Sequence, residues 1–186
     1  MIKNFTVLFL LLSFFAAGQK NVIDAQLMTF NNHTSQVKIK VVTNMFSPKL
    51  LNELSINSRL LIVQENGKKF PMTVVNVKEL TFVDLQGAQR KFINISGDRR
   101  SLTELVYDGK IKWHRQFSRN AYDGSIIIDD IFINERNEKV TQGAFTGVKK
   151  QLAKLTESKP ELITQIESTY LNKEGIIQIL NKYEED

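Results

Sequence analysis

The chain has 186 residues, 42% of them hydrophobic and 24% charged, with no cysteine, three prolines and a net charge of +5. That length matches one ordinary domain, and the apolar content excludes disorder of the whole chain. The missing cysteines exclude disulfides, thiolate zinc sites, iron–sulfur clusters and thiol nucleophiles.

The first segment reads as a secretory signal. Lys3 supplies a basic start, residues 5–15 (FTVLFLLLSFF) form an apolar run too short for an ordinary membrane span, and Ala16-Ala17-Gly18 is a small-residue cleavage site. Cleavage between Gly18 and Gln19 leaves an exported chain, periplasmic in the simplest case and extracellular as the alternative. It carries 24 Lys and Arg against 20 Asp and Glu. The excess is local: residues 90–119 hold eight basic and three acidic residues.

From residue 19 to 143 the pattern is β. Val37, Ile39 and Val41 alternate with polar residues, and Asn31-Asn32-His33-Thr34 turns the preceding run around residues 23–30 into them. Ser47-Pro48 offers a cap and an early-turn proline for one short helix. Leu60 to Val63 and Met72 to Val75 flank Asn66-Gly67, a strong hairpin signal because both residues tolerate positive φ. Gln86-Gly87 joins residues 80–85 to 90–95, and Asp108-Gly109 joins 102–107 to 110–117 through an expected type I′ turn. Asp123-Gly124 precedes two isoleucine-rich runs that enclose Asp129-Asp130, and residues 135–138 turn into Lys139-Val140-Thr141. Successive hairpins predict an antiparallel meander or a small open barrel.

After Gly143 the period changes. Phe145, Val148, Leu152 and Leu155 share a helix face. Ser158-Lys159-Pro160-Glu161 has the pattern of a capping box before a second helix with Leu162, Ile163, Ile166 and Tyr170, and Asn172 caps a third with Ile176, Ile179, Leu180 and Tyr183 on one face. The expected class is α+β: a signal over 1–18, then one mature unit over 19–186. Its β-rich body covers 19–143, and a cap of two to three short helices covers 144–186.

The chain resembles a group of exported proteins of Bacteroidota, of the flavobacterial type, for which no activity is established. The resemblance rests on the signal ending before Gln19, on ELTFVDLQGAQRKFI (79–93), GKIKWHRQF (109–117), YDGS (122–125), FINERNEKV (132–140) and KKQLAKLTESKPELITQIES (149–168). It implies export and a single-domain architecture, and no site.

No catalytic motif stands out. There is no Gly-x-Ser-x-Gly, His-Glu-x-x-His, P-loop, dinucleotide fingerprint or EF-hand. The two histidines, His33 and His114, are far apart in sequence, so no metal or other cofactor is expected. Asp129 and Asp130 point to opposite faces of a strand unless a bulge intervenes. They read as a bulge or turn with solvated acids, or as the acids of an envelope hydrolase acting on glycan or peptide. In the span 90–119, Ile111, Trp113, Arg115 and Phe117 share the core face, and the Trp113 indole needs a partner inside. Arg90 and Lys91 belong to the same basic span. Arg99, Arg100, Lys110, Lys112, His114 and Arg119 are expected to form a partner-binding patch, or an ordinary solvated surface. In an exported protein the patch would meet anionic lipid, acidic glycan or an acidic envelope protein and not nucleic acid. The sequence-level conclusion is an exported, non-catalytic binding or scaffold module, with the hydrolase as the alternative.

Overall fold

The computed structural model describes residues 21–95, 97, 99–141 and 147–185. Gly18 and Gln19, with the whole signal, and Phe145 lie outside the described residues.

Ten strands form one open antiparallel sheet: β1 (Val22–Thr29), β2 (Thr34–Lys40), β3 (Arg59–Val63), β4 (Lys69–Thr73), β5 (Val77–Val83), β6 (Gln89–Ile93), β7 (Thr103–Tyr107), β8 (Lys112–Arg119), β9 (Ile126–Ile133) and β10 (Lys139–Thr141). Among the described residues four α-helices accompany it: α1 (Leu54–Asn57), α2 (Val148–Leu155), α3 (Glu161–Ser168) and α4 (Lys173–Glu184). No helix among the described residues is long and apolar enough to cross a membrane.

The strand order is β10-β9-β8-β7-β6-β5-β1-β2-β3-β4. Two meanders thus meet where β5 pairs with β1 instead of with β4, its predecessor. Pro71 explains the break. It lacks the N–H a central strand would donate, so mostly exposed β4 stays at the edge. Val74 to Asn76 then turn as a short 3-10 helix, where the sequence pattern had extended the strand through Val75.

Four hairpins share one turn. At Thr29, Gln64, Asp84 and Asn134 the first residue exchanges backbone bonds with residues three and four ahead, and the third loop residue is left-handed: Asn32, Gly67, Gly87 and Asn137. This is the three-residue turn with a bulge, which needs one positive φ rather than two. The Asp84 and Asn134 side chains brace it by accepting N–H bonds two and four residues ahead. The hairpins at 66–67 and 86–87 therefore form as expected with this turn, not type I′. At Asp108-Gly109 neither residue has positive φ, and a bulge between Leu105 and Tyr107 absorbs the mismatch. Ser47-Pro48 starts no helix. The turn there is held by Leu50 N–H on the Ser47 carbonyl, and the short helix α1 comes later.

The core has two clusters. Ile23, Ala25, Leu27, Ile39, Leu60, Leu80, Phe82, Phe92 and Phe117 pack under β1–β6 and α1. Asn57 of α1 donates to the Phe117 carbonyl and ties this part to β8. The second cluster joins Ile111, Trp113 and Phe132 to Leu152, Leu155, Leu162, Ile166, Ile176, Ile179 and Leu180 of the helices. Helices of this length are marginal alone, so the burial of these stripes is what holds them. Asn172 caps α4 by accepting from Gly175 N–H at 2.8 Å. The capping box at Ser158 does not form: Pro160 is the N-cap of α3, and Ser158 Oγ sits 3.5 Å from the Tyr183 hydroxyl. Tyr170 falls beyond α3 and is exposed.

Candidate functional site: a lysine-rimmed groove over His114

The sheet has an inner face carrying the core and an outer face. In β8 the inner residues are Trp113, Arg115 and Phe117, as their spacing predicts. The Trp113 indole donates to Asp130 Oδ1 at 2.7 Å, and Arg115 Nε donates to the same oxygen at 3.2 Å. β9 runs unbroken through both acids, with Asp129 opposite Gln116 and Asp130 opposite Arg115. No bulge or turn forms there, because β8 supplies a polar or cationic neighbour for each carboxylate. Asp130 is a partly buried structural acceptor, and neither acid lines the grooves at this surface.

Arg90 likewise leaves the surface. It reaches Glu53 at 3.0 Å, Asp84 at 3.4 Å and Glu104, with its side chain 14% exposed. Its inner-face position beside Phe82 forces this: a buried cation must be paired. Lys91, on the outer face, pairs with Glu79 at 3.0 Å.

The six residues expected to form one patch separate. Arg99 stacks on the Phe30 ring at 4.0 Å, in the loop between β6 and β7, where Arg100 follows it on the surface. Arg119 donates to the Gly124 carbonyl at the far end of β8 from Lys112. Seven residues of extended chain part those two by about 23 Å. Lys110, Lys112 and His114 do come together, with Lys91, around an outer-face groove of about 660 Å³.

His114 is not part of an exposed surface. Only 2% of it is accessible. The alternation that placed it outward is correct, but outward here does not mean solvated. Its cross-strand neighbours are Leu105 and Ile131, and the groove wall adds Ile93 and Ile133. Strands β6 and β9 carry apolar residues at both parities, so the outer face has an apolar floor of its own. Burial, with Lys112 and Lys139 nearby and Asp108 opposing, pushes the His114 pKa down to about 4. The ring is neutral at physiological pH.

The tautomer follows from the hydrogen bonds. Thr103 Oγ1 donates to the Ile93 carbonyl at 3.1 Å. Its single proton is spent, so its 3.4 Å contact with His114 Nδ1 requires Nδ1–H to donate. Nε2 then carries the lone pair. It has no partner among the described residues and is not one of the fully buried orphan atoms. Thr103 escapes sequence reasoning because its link to His114 exists only across the β7–β8 hairpin.

A larger groove of about 1290 Å³ opens where β3 diverges from β2, lined by Asp24, Lys38, Lys40, Glu65 and Lys69. None of these charged residues is buried, so it lacks a fixed polar group to orient a ligand. Among the described residues no three His, Asp or Glu side chains cluster as a metal site would need. No protein-family model, curated protein or solved structure matches the chain.

Proposed function

We propose that the protein is an exported, non-catalytic binding module of the bacterial envelope, and that its ligand is anionic. Export rests on Lys3, the apolar run over 5–15 and the small residues Ala16-Ala17-Gly18, and on the resemblance to exported Bacteroidota proteins. The observation that carries the binding role is the groove: Lys91, Lys110 and Lys112, with the carboxylates Asp108 and Glu135 among them, stand around a buried, neutral imidazole whose Nε2 has no partner among the described residues. Among the described residues Lys112 pairs with half-exposed Asp108, at 3.5 Å, a pair weak enough for a ligand to displace.

The test uses the purified protein on a carboxylated polysaccharide matrix. It is expected to be retained at low salt and released as screening shortens toward about 8 Å at physiological ionic strength. Lys110→Glu with Lys112→Glu should abolish retention, with stability changed by about 0.5 kcal/mol or less per site. Arg99→Glu, Arg100→Glu and Arg119→Glu, outside the groove, should change it little. Equal loss from both sets would leave only a diffuse basic surface, and no retention at all would end the anionic reading.

A further inference from the structure

We infer that the groove selects an acidic glycan, with a sugar hydroxyl donating to His114 Nε2 while the carboxylate or phosphate of the same glycan sits on Lys110 and Lys112. This deepens the binding reading and rests on it.

A bare anion satisfies only half of the groove. Lysine ammonium groups are donors and take the anion's oxygens. Nε2 is an acceptor, fixed in that state by the chain from Nδ1–H to Thr103 Oγ1 and on to the Ile93 carbonyl. An anion's oxygen placed against that lone pair is repelled. Nε2 is not fully buried and is reached through the groove that His114 lines, so the fitting ligand brings an O–H to Nε2 and a negative charge to the lysine rim. Acidic sugars carry both groups on one ring. Their apolar C–H faces also match the half-buried Ile93, Leu105 and Ile133 of the wall.

Shape favours a glycan over a membrane. His114 lies at the floor with 2% of its surface accessible, so its partner must reach into the groove. A flat bilayer engages protruding charge instead. The volume of about 660 Å³ falls in the range of small-molecule sites.

The experiment titrates the purified protein at pH 7.5 with a galacturonate trisaccharide, sodium sulfate, a neutral galactose trisaccharide and phosphatidylglycerol vesicles, read by calorimetry. The imidazole nitrogens are followed in parallel by long-range ¹H–¹⁵N spectra. The free protein should show Nδ1 protonated and Nε2 bare. The galacturonate should bind about tenfold more tightly than sulfate or the neutral sugar, and should shift the Nε2 resonance. His114→Gln should cost about threefold to tenfold, the weight of one net hydrogen bond. If that variant does not fold, the wild-type Nε2 shift still decides the point. Lysine-dependent binding in which sulfate equals galacturonate and Nε2 does not move would overturn the glycan inference and leave the anion reading standing. Tighter binding to the vesicles would overturn it in favour of lipid. No binding of any anion would overturn both.

Discussion

His114 makes the stability of the fold depend on pH below neutrality. In the unfolded chain its imidazole titrates near 6.5, and in the folded protein at about 4. Above 6.5 both states are neutral and the full stability is present. Between those values the unfolded chain binds a proton that the folded one refuses, so stability falls as pH falls. The whole gap corresponds to about 3 kcal/mol, reached below pH 4, and the loss at pH 5 relative to pH 8 is about 2 kcal/mol. For a chain of this size that lowers Tm by about 4–8 °C. The charged groups around the ring are Lys91, Lys110, Lys112, Lys139, Asp108 and Glu135. Keeping to the range from pH 8 to 5 limits the part played by carboxylates. Thermal melts of wild type and His114→Gln at both pH values isolate the histidine. The variant should lose most of the difference in Tm that the wild type shows. Equal shifts in the two proteins would refute the claim that His114 is held neutral by burial.

Three further substitutions test the scaffold. Arg90→Ala strands Asp84 and Glu104, whose side chains are 5% and 8% exposed, and should cost about 3–5 kcal/mol in urea unfolding. Asp130→Ala leaves the Trp113 indole N–H without an acceptor, for a loss of about 1–3 kcal/mol and a change in tryptophan emission. Gly175→Ala, which in an ordinary helix interior gains about 1 kcal/mol, should destabilise, because the added Cβ meets the Tyr170 carbonyl oxygen, and the sign of the Tm shift decides it.

The hairpins were legible because turn chemistry is local. Asn66-Gly67, Gln86-Gly87 and residues 134–138 each mark a reversal with their own side chains and φ preferences. The Asn172 cap and the stripe of Ile176, Ile179 and Leu180 were legible for the same reason. Turn type was not, since the three-residue turn and type I′ both call for a residue tolerant of positive φ. The β1–β5 pairing was out of reach as well: Pro71 marks an edge, but nothing local names the new partner. At the site, parity placed Lys112 and His114 on one face. Burial of that face depends on Leu105 and Ile131 arriving from neighbouring strands, and on the bulge after Leu105 that sets the register. The fate of Arg90 was hidden for a similar reason. Glu53 and Glu104 lie 37 and 14 residues away, and only the folded sheet brings them to one guanidinium.

The same sheet uses the two faces of β8 for different ends. On the inner face these polar side chains have their partners built in: Trp113 and Arg115 share Asp130, Arg90 takes three carboxylates, and the helices cover Trp113 and Phe132. On the outer face His114 is as deeply buried as the core, yet half of its hydrogen-bonding capacity is left open. That nitrogen is not fully buried, so the open acceptor can be reached through the groove that His114 lines. A histidine held neutral, fixed in tautomer by Thr103 and open toward a rim of lysines and carboxylates gives the proposed ligand an acceptor to address.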